Sequence, residues 1–252
     1  MDVLLAAGHP VRARQQGHKA MRISVVIPVL HEAEHINDIL TSLQVISNGR
    51  PYETIVVDGD PAGGTIRHIK DSRLVTLIAQ KGRARQMNAG AARATGEILL
   101  FLHADTLLPV DALAKIEKAL SDESYVGGAF NLDIQNNRWI FQIIGRCASW
   151  KHRLTRVPYG DQAIFIRRRI FKTLGGYPEI PLMEDVELMK RIKRKGWRII
   201  ILPDAVKTSS RKWEKDGVIY TIFRNWTLQV LYLLGMPAGR LVRYYYKECQ
   251  EQ

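Results

Sequence analysis

The chain has 252 residues, 46% of them hydrophobic, and its 37 Lys and Arg against 25 Asp and Glu give a formal net charge of +12. This excludes a chain too short or too polar to bury a sizeable core, and fits one α/β domain with an appendage better than two equal domains. The charge favours an anionic partner (nucleotide, nucleic acid or acidic lipid surface), although a solvated basic surface produces the same count. The two cysteines, Cys147 and Cys249, lie far apart and form neither a disulfide framework nor a metal-spacing motif, which fits a reducing cytoplasm.

In chain order, residues 1–21 lack a sustained apolar run and predict a disordered leader rather than a signal peptide, with Met21 as an alternative start. The β-branched run Ile23 to Leu30 predicts a buried strand that leaves the sheet at Pro28, where a ladder donor is missing. Ile36, Ile39, Leu40 and Leu43 recur at helical spacing. Thr54 to Val57 predicts a second strand, followed by the turn-forming loop Asp58 to Gly64 and a short helix. Leu74 to Ile78 predicts a third strand, and Arg83 to Ala94 a helix stopped by Gly96. The apolar run Glu97 to Leu102 predicts a fourth strand. Strand and helix alternating in this way imply a parallel sheet with right-handed crossovers.

The second half is less regular. Strands are expected over Tyr125 to Leu132, Ala163 to Ile166 and Trp197 to Leu202, and helices over Trp139 to Trp150 and Glu184 to Lys195. From Asp216 the pattern is helical, punctuated at Gly235 to Pro237. It is amphipathic and too short in its apolar stretch to cross a bilayer, leaving open whether it packs on the main domain or lies on a membrane surface.

Several residues could do chemistry. Asp105 follows a buried strand, at the sheet edge where α/β folds bind ligands, and one carboxylate there can hold Mg2+ or Mn2+ against a diphosphate. As plain structure it would be a helix N-cap or a turn residue. Asp58 has the same topology and could accept hydrogen bonds from a nucleobase or ribose, or make an Asx-turn before Gly59. Arg83, Arg85, Gln86 and Asn88 place donors around the start of a helix, suiting an anion. Glu184 and Asp185 open another helix. Acids there complement the dipole, and the functional alternative is a general base acting on a hydroxyl. His31, His35 and His152 show no metal spacing and read as surface residues.

In this order the fragments resemble the family-two glycosyltransferases, from about Arg22 to about Trp213. Ser24 to Glu32 looks like the family's opening strand, including Pro28, Val29 and Glu32. Val56 to Gly59 with Gly64 and Thr65 resembles its nucleoside-binding loop. Leu102, His103, Ala104 and Asp105 sit where the DxD metal motif falls. Glu184 and Asp185 are similar to the ED motif, whose Asp is taken as catalytic base. Ser209 to Trp213, with Arg211 and Trp213, lies where relatives carry a basic and aromatic segment. The wording of Gly82 to Ala91 and of Leu100 to Thr106 resembles a bacterial subgroup described as radical-SAM-associated glycosyltransferases. Two positions depart from the pattern. His103 stands at the first Asp of DxD, so metal binding falls mainly on Asp105, with a neutral imidazole as a further manganese ligand. Gly59 stands where many relatives carry a second Asp near the base.

The resemblance implies a GT-A, Rossmann-like fold: a mixed, mainly parallel sheet flanked by helices, with a nucleotide-binding half over 22–106, an acceptor-binding half over 107–213 and a helical extension over 214–252. It implies inverting transfer from a UDP- or GDP-sugar to an acceptor hydroxyl, assisted by Mn2+ or Mg2+. Asp58 and the first strand exit would hold the nucleoside, Asp105 the ion, with Arg83 or Arg85 at the diphosphate, and Asp185, with Glu184, would be the base. No nucleic-acid partner is expected. A cytoplasmic location is expected, and peripheral contact with the inner, anionic face of the membrane and a homodimer both stay open. Nucleotidyl transfer, an inactive nucleotide-binding homologue and a basic nucleic-acid-binding protein are the competing readings.

Overall fold

The computed structural model describes residues 21–136, 157–210, 214 and 216–246, except the side chains of 219 and 244–246. Nearly all of the expected leader, the helix expected over 139–150, His152, Arg211 and Trp213 lie outside the described residues. Eight strands are described: β1 (Ile23–Val29), β2 (Tyr52–Asp58), β3 (Val75–Ile78), β4 (Ile98–Phe101), β5 (Thr106–Leu107), β6 (Tyr125–Gln135), β7 (Phe165–Arg167) and β8 (Arg198–Ser209). The described helices are α1 (Ile36–Ser47), α2 (Arg83–Arg93), α3 (Ala112–Leu120), α4 (Arg168–Thr173), α5 (Glu184–Arg194), α6 (Val218–Leu233) and α7 (Ala238–Tyr246).

The strands form one sheet in the order β3-β2-β1-β4-β7-β6-β8-β5. β3, β2, β1 and β4 run parallel, as their alternation with helices predicts. β7 then lies antiparallel to β4 and β6, β8 is parallel to β6, and β5 is antiparallel to β8. The period-two pleat of β1 divides the core. Ile23, Val25, Ile27 and Val29 pack towards α1 and α3, whereas Val26 packs towards α2 and α5. Both faces are covered, so the parallel strands read as continuous apolar runs.

α2 sits close on the sheet because of Gly90. A Cβ there would come within 2.4 Å of Val26 Cγ1 and 3.0 Å of Val57 Cγ2. Ala normally stabilises a helix interior over Gly by ~1 kcal/mol. Overpacking at this depth outweighs that gain, and Gly90→Ala is expected to destabilise the protein by about 1–2 kcal/mol in urea unfolding. A more stable variant would show that α2 shifts freely.

Some boundaries differ from the sequence expectations. β1 continues through Pro28, which pairs with Val57. The pairing of β1 with β4 stops at Val26, whose carbonyl accepts from Leu102, and the alternation turns Pro28 to that same side, past the end of the β4 ladder. Gly96 does not stop α2, which is capped by Ala94. Gly96 instead lies against β1, where a Cβ would meet Ser24 Oγ at 2.6 Å and the Arg22 carbonyl at 2.7 Å. β8 runs well past Leu202, because its register shift relative to β6 absorbs Pro203 and resumes at Ala205.

The helical tail packs on the main domain. Leu228 of α6 and Leu241 of α7 bury against Leu182, just before α5. The Tyr232 hydroxyl donates to Glu187 at 3.2 Å, and Lys190 Nζ lies 4.2 Å from the Tyr232 ring centre. Among the described residues no helix is long and apolar enough to cross a membrane.

Candidate active site

The carboxyl ends of β1, β2, β3 and β4 share one sheet edge because these strands are parallel. Everything that leaves those strands is delivered there: Glu32, the Asp58 loop, the start of α2, and His103 to Asp105. β7 runs the opposite way to β4, so its beginning lies at this same edge, with Phe101 N donating to Ile164 O at 2.9 Å. The turn Gly160–Gln162 before β7 is thereby set against His103.

Asp58 is fully buried, and its carboxylate organises its own loop. Oδ1 accepts from Asp60 N at 2.9 Å, and Oδ2 from Thr65 N at 3.0 Å and Ile66 N at 3.3 Å. Thr65 Oγ1 in turn accepts from Glu32 N at 3.2 Å, tying the exits of β1 and β2 together. The Asx-turn reading thus describes the Asp58 carboxylate. Pro28 and Val29 lie within β1, and the Val29 carbonyl accepts from Gly59 N and from Gln86 Nε2.

The donors expected around the start of α2 divide into two groups. Gln86 is buried and donates to the carbonyls of Val29 at 2.8 Å and Val57 at 2.9 Å, pinning the helix to the ends of β1 and β2. The Asn88 amide exchanges hydrogen bonds with the backbone of Tyr177, at 2.8 and 2.9 Å. Both amides are therefore structural. Arg83 and Arg85 remain half-exposed, Arg85 beside Glu179 at 3.3 Å and Arg83 beside Glu184 at 3.0 Å. The Arg83 to Glu184 pair brings the N-termini of α2 and α5 together, and neither start carries a side-chain cap. The positive start of α2 favours an anion there, whereas the first turn of α5 already carries Glu184, Asp185 and Glu187.

Across from this basic side stand carboxylates. Asp185 Oδ2 accepts from Gly160 N at 2.7 Å and Oδ1 from Val186 N at 2.7 Å, fixing the plane of the group while each oxygen keeps a lone pair. A Cβ on Gly160 would lie 3.1 Å from His103 Nε2 and 3.6 Å from Asp185 Oδ2, so imidazole and carboxylate flank one point of backbone. Asp105 holds the start of β5, its carbonyl accepting from Ser209 N at 3.1 Å and its Oδ1 from Thr106 Oγ1 at 3.2 Å. It is not a helix N-cap, because α3 begins only at Ala112, but it does occupy a turn, with Ala104, that leads directly into β5. Ala104 beside it is buried in the core.

Asp161 joins the two halves. Its Oδ1 is cut off from solvent and receives no hydrogen bond. Burial, then the charges of Asp185 and Asp105, push its carboxyl up to about 7, with Arg83 opposing. Glu184 is also pushed up, by burial first and by Asp185, against the pull of Arg83. Asp105, Asp161, Asp185, Glu184 and Arg83 thus form one electrostatic unit. Asp58 shares the sheet edge but spends its carboxylate elsewhere.

Asp161 was not singled out from sequence. The available signal was an acid beside the apolar run Ala163 to Ile166, the pattern of Asp105 in mirror order. It becomes informative only once β7 is known to be antiparallel. Backbone strain also borders the site. Of the five non-glycine residues with positive φ among the described residues, His31 (59°), Ala163 (49°) and Met183 (67°) flank these loops. Each such conformation costs roughly 1–2 kcal/mol and persists where surrounding structure enforces it.

The family model described as Glycosyl transferase family 2 matches residues 24–175. A probable glycosyltransferase of Bacillus subtilis, YdaM, is 24% identical over 235 residues, covering 83% of this chain and 54% of the relative. In three dimensions the chain is similar to a mannosyltransferase from Pyrobaculum calidifontis solved with GDP-Man and Mn2+. The TM-score is 0.60 at 23% identity, covering 76% of this chain and 57% of the other. It is also similar to S. aureus TarS 1-349 in complex with UDP, with TM-score 0.57 and 17% identity, covering 75% and 60% of the two chains. The chain therefore spans little more than half the length of these proteins, and the fold is that of GT-A glycosyltransferases.

Proposed function

The chain belongs to glycosyl transferase family 2, and from that premise we propose that it moves a sugar from a nucleotide-sugar donor, a UDP- or GDP-sugar, to an acceptor hydroxyl with inversion at the anomeric carbon. The observation that carries this reading is the gathering at one sheet edge of Arg83, the uncapped start of α2, Asp105, Asp161 and a backbone-held Asp185.

The donor's diphosphate lies between the N-terminus of α2 and Asp105. Arg83 meets its charge, and Glu184 orients Arg83. Asp185 removes the proton of the acceptor hydroxyl. The acceptor oxygen bonds to the anomeric carbon as the bond to the diphosphate breaks, and the nucleoside diphosphate leaves. No covalent enzyme intermediate forms, so no Ser or Cys nucleophile is required. The Asp58 loop shapes the nucleoside pocket through its backbone.

The donor set suits a hard divalent cation. Asp161 Oδ1 is buried and unpaired beside Asp105, an excess of negative charge that Mn2+ or Mg2+ would neutralise. Among the described residues no three His, Cys, Asp or Glu are grouped to hold an ion. A partial protein set completed by substrate phosphate oxygens is the usual arrangement for such ions. Asp105 and Asp161 would hold the ion, which when bound offsets charge on the departing diphosphate. The narrower assignment to the radical-SAM-associated subgroup rests on the motif wording around Arg83 and Asp105.

A thermal-shift panel of nucleoside diphosphates, with and without Mn2+, tests the reading. At about a hundredfold excess over Kd a ligand stabilises by ~2.7 kcal/mol, which for a chain of this size is about 5–10 °C. One base is expected to give this shift with Mn2+, and Asp105→Asn to lose the metal-dependent part. No shift with any nucleotide would refute donor binding, and release of pyrophosphate from a nucleoside triphosphate mixed with a sugar 1-phosphate would replace sugar transfer with nucleotidyl transfer.

A further inference from the structure

α6 turns an apolar face outward. Tyr220, Phe223, Trp226, Val230, Leu233 and Leu234 are between 41% and 79% exposed, whereas Thr221 and Leu228 are buried. The exposed residues recur at three- and four-residue intervals, which collects them on one side of the helix, opposite Thr221 and Leu228. A contiguous apolar strip of this kind marks an interaction surface.

We propose that this face of α6 docks on an anionic lipid bilayer, with the helix lying in the interface plane. Charge selects the occupant. From Gly217 to Tyr246 the chain contains no Asp or Glu and three Arg. Arg224 is taken by Asp216 at 2.9 Å, while Arg240 and Arg243 are exposed on α7, the next helix along the chain. A second copy meeting this face across a two-fold axis would bring the same cations together, which disfavours self-association. An anionic leaflet attracts them, and the chain as a whole carries +12. The composition of the strip, with Trp, Tyr and Phe among aliphatics, is that of helices lying at the headgroup boundary. α6 is also joined to the candidate site, since Gln229 hydrogen-bonds the Tyr159 side chain next to Gly160.

Flotation of the full chain with liposomes tests the proposal, and needs no donor or acceptor. With vesicles of phosphatidylcholine and phosphatidylglycerol the protein is expected to float, and with phosphatidylcholine alone at least tenfold less. The triple variant Phe223→Ser, Leu233→Ser, Leu234→Ser is expected to lose at least tenfold of the bound fraction while keeping its melting temperature and nucleotide-induced shift, since all three side chains are exposed. Arg240→Glu with Arg243→Glu is expected to abolish flotation with the apolar strip intact. Absence of wild-type flotation overturns the proposal, as does equal flotation with neutral vesicles. So does a triple variant that floats like the wild type, or a solution dimer that the triple variant dissociates. None of these results bears on nucleotide binding, which the thermal-shift panel decides separately.

Discussion

Asp185→Asn is expected to lower turnover by roughly 10^2–10^4-fold, the usual contribution of a positioned general base, with nucleoside diphosphate affinity changed by less than about twofold. On the proposed reading the effect falls on turnover, because Asp185 acts in the proton-removal step. Its two oxygens are oriented by Gly160 N and Val186 N, both at 2.7 Å, beside the pair of Arg83 and Glu184. Asn preserves the shape and one acceptor oxygen, which keeps the bond from Gly160 N and the loop before β7 in place, at the loss of the bond from Val186 N. Release of nucleoside diphosphate in the presence of the stabilising donor measures the effect. A fully active Asn variant would move the base elsewhere. Glu184→Gln is a separate case. It frees Arg83, so its effect is expected first in the KM for the donor.

The second large effect concerns Asp161 and pH. Its carboxyl is raised from the ordinary value of 3.8 to about 7. Between these values the native state keeps a proton that the unfolded chain has released, so stability falls as pH rises. The contribution is fully present below about pH 4 and is lost as pH passes through about 7. Asp161→Asn has no charge to bury. It is expected to gain on the wild type by about 1.4 kcal/mol per pH unit between pH 5 and 7 and to level off above. Glu184 is shifted in the same direction but is present in both proteins and largely cancels from the difference. Mn2+ with nucleotide is expected to close the gap by supplying the wild type with the missing positive charge. The Asn variant is expected to bind Mn2+ at least tenfold more weakly by electron paramagnetic resonance. A pH-independent difference, together with unchanged Mn2+ affinity, would remove Asp161 from the metal end of the site.

The parallel half of the fold was legible because its signals are local. Buried parallel strands read as unbroken apolar runs, as at Val25 to Val29 and Ile98 to Phe101, and the helices between them carry their own periodicity. The acids at the strand exits could be located for the same reason, since topology alone puts Asp58 and Asp105 at one edge. The roles of side chains near them were less legible. Gln86 and Asn88 looked like anion donors at a helix start, yet both turn inward to satisfy backbone carbonyls and N–H groups of distant segments. Whether a polar side chain meets solvent, ligand or backbone depends on what packs beside it, and for Asn88 that partner is 89 residues away.

Composition, apolar periodicity and motif order thus determined the α/β class, the parallel order of the first strands, the acids at their exits and the helical tail, because each is set by neighbours within one element or one crossover. Tertiary structure alone decided that β7 runs against β4, which sets Gly160 and Asp161 beside His103 and Asp105. It also decided that α5 delivers Asp185 to the same point, and that α6 faces outward with its aromatics. Those outcomes depend on strand direction and helix docking between segments far apart in sequence, where burial and charge act through space and leave no period in the chain.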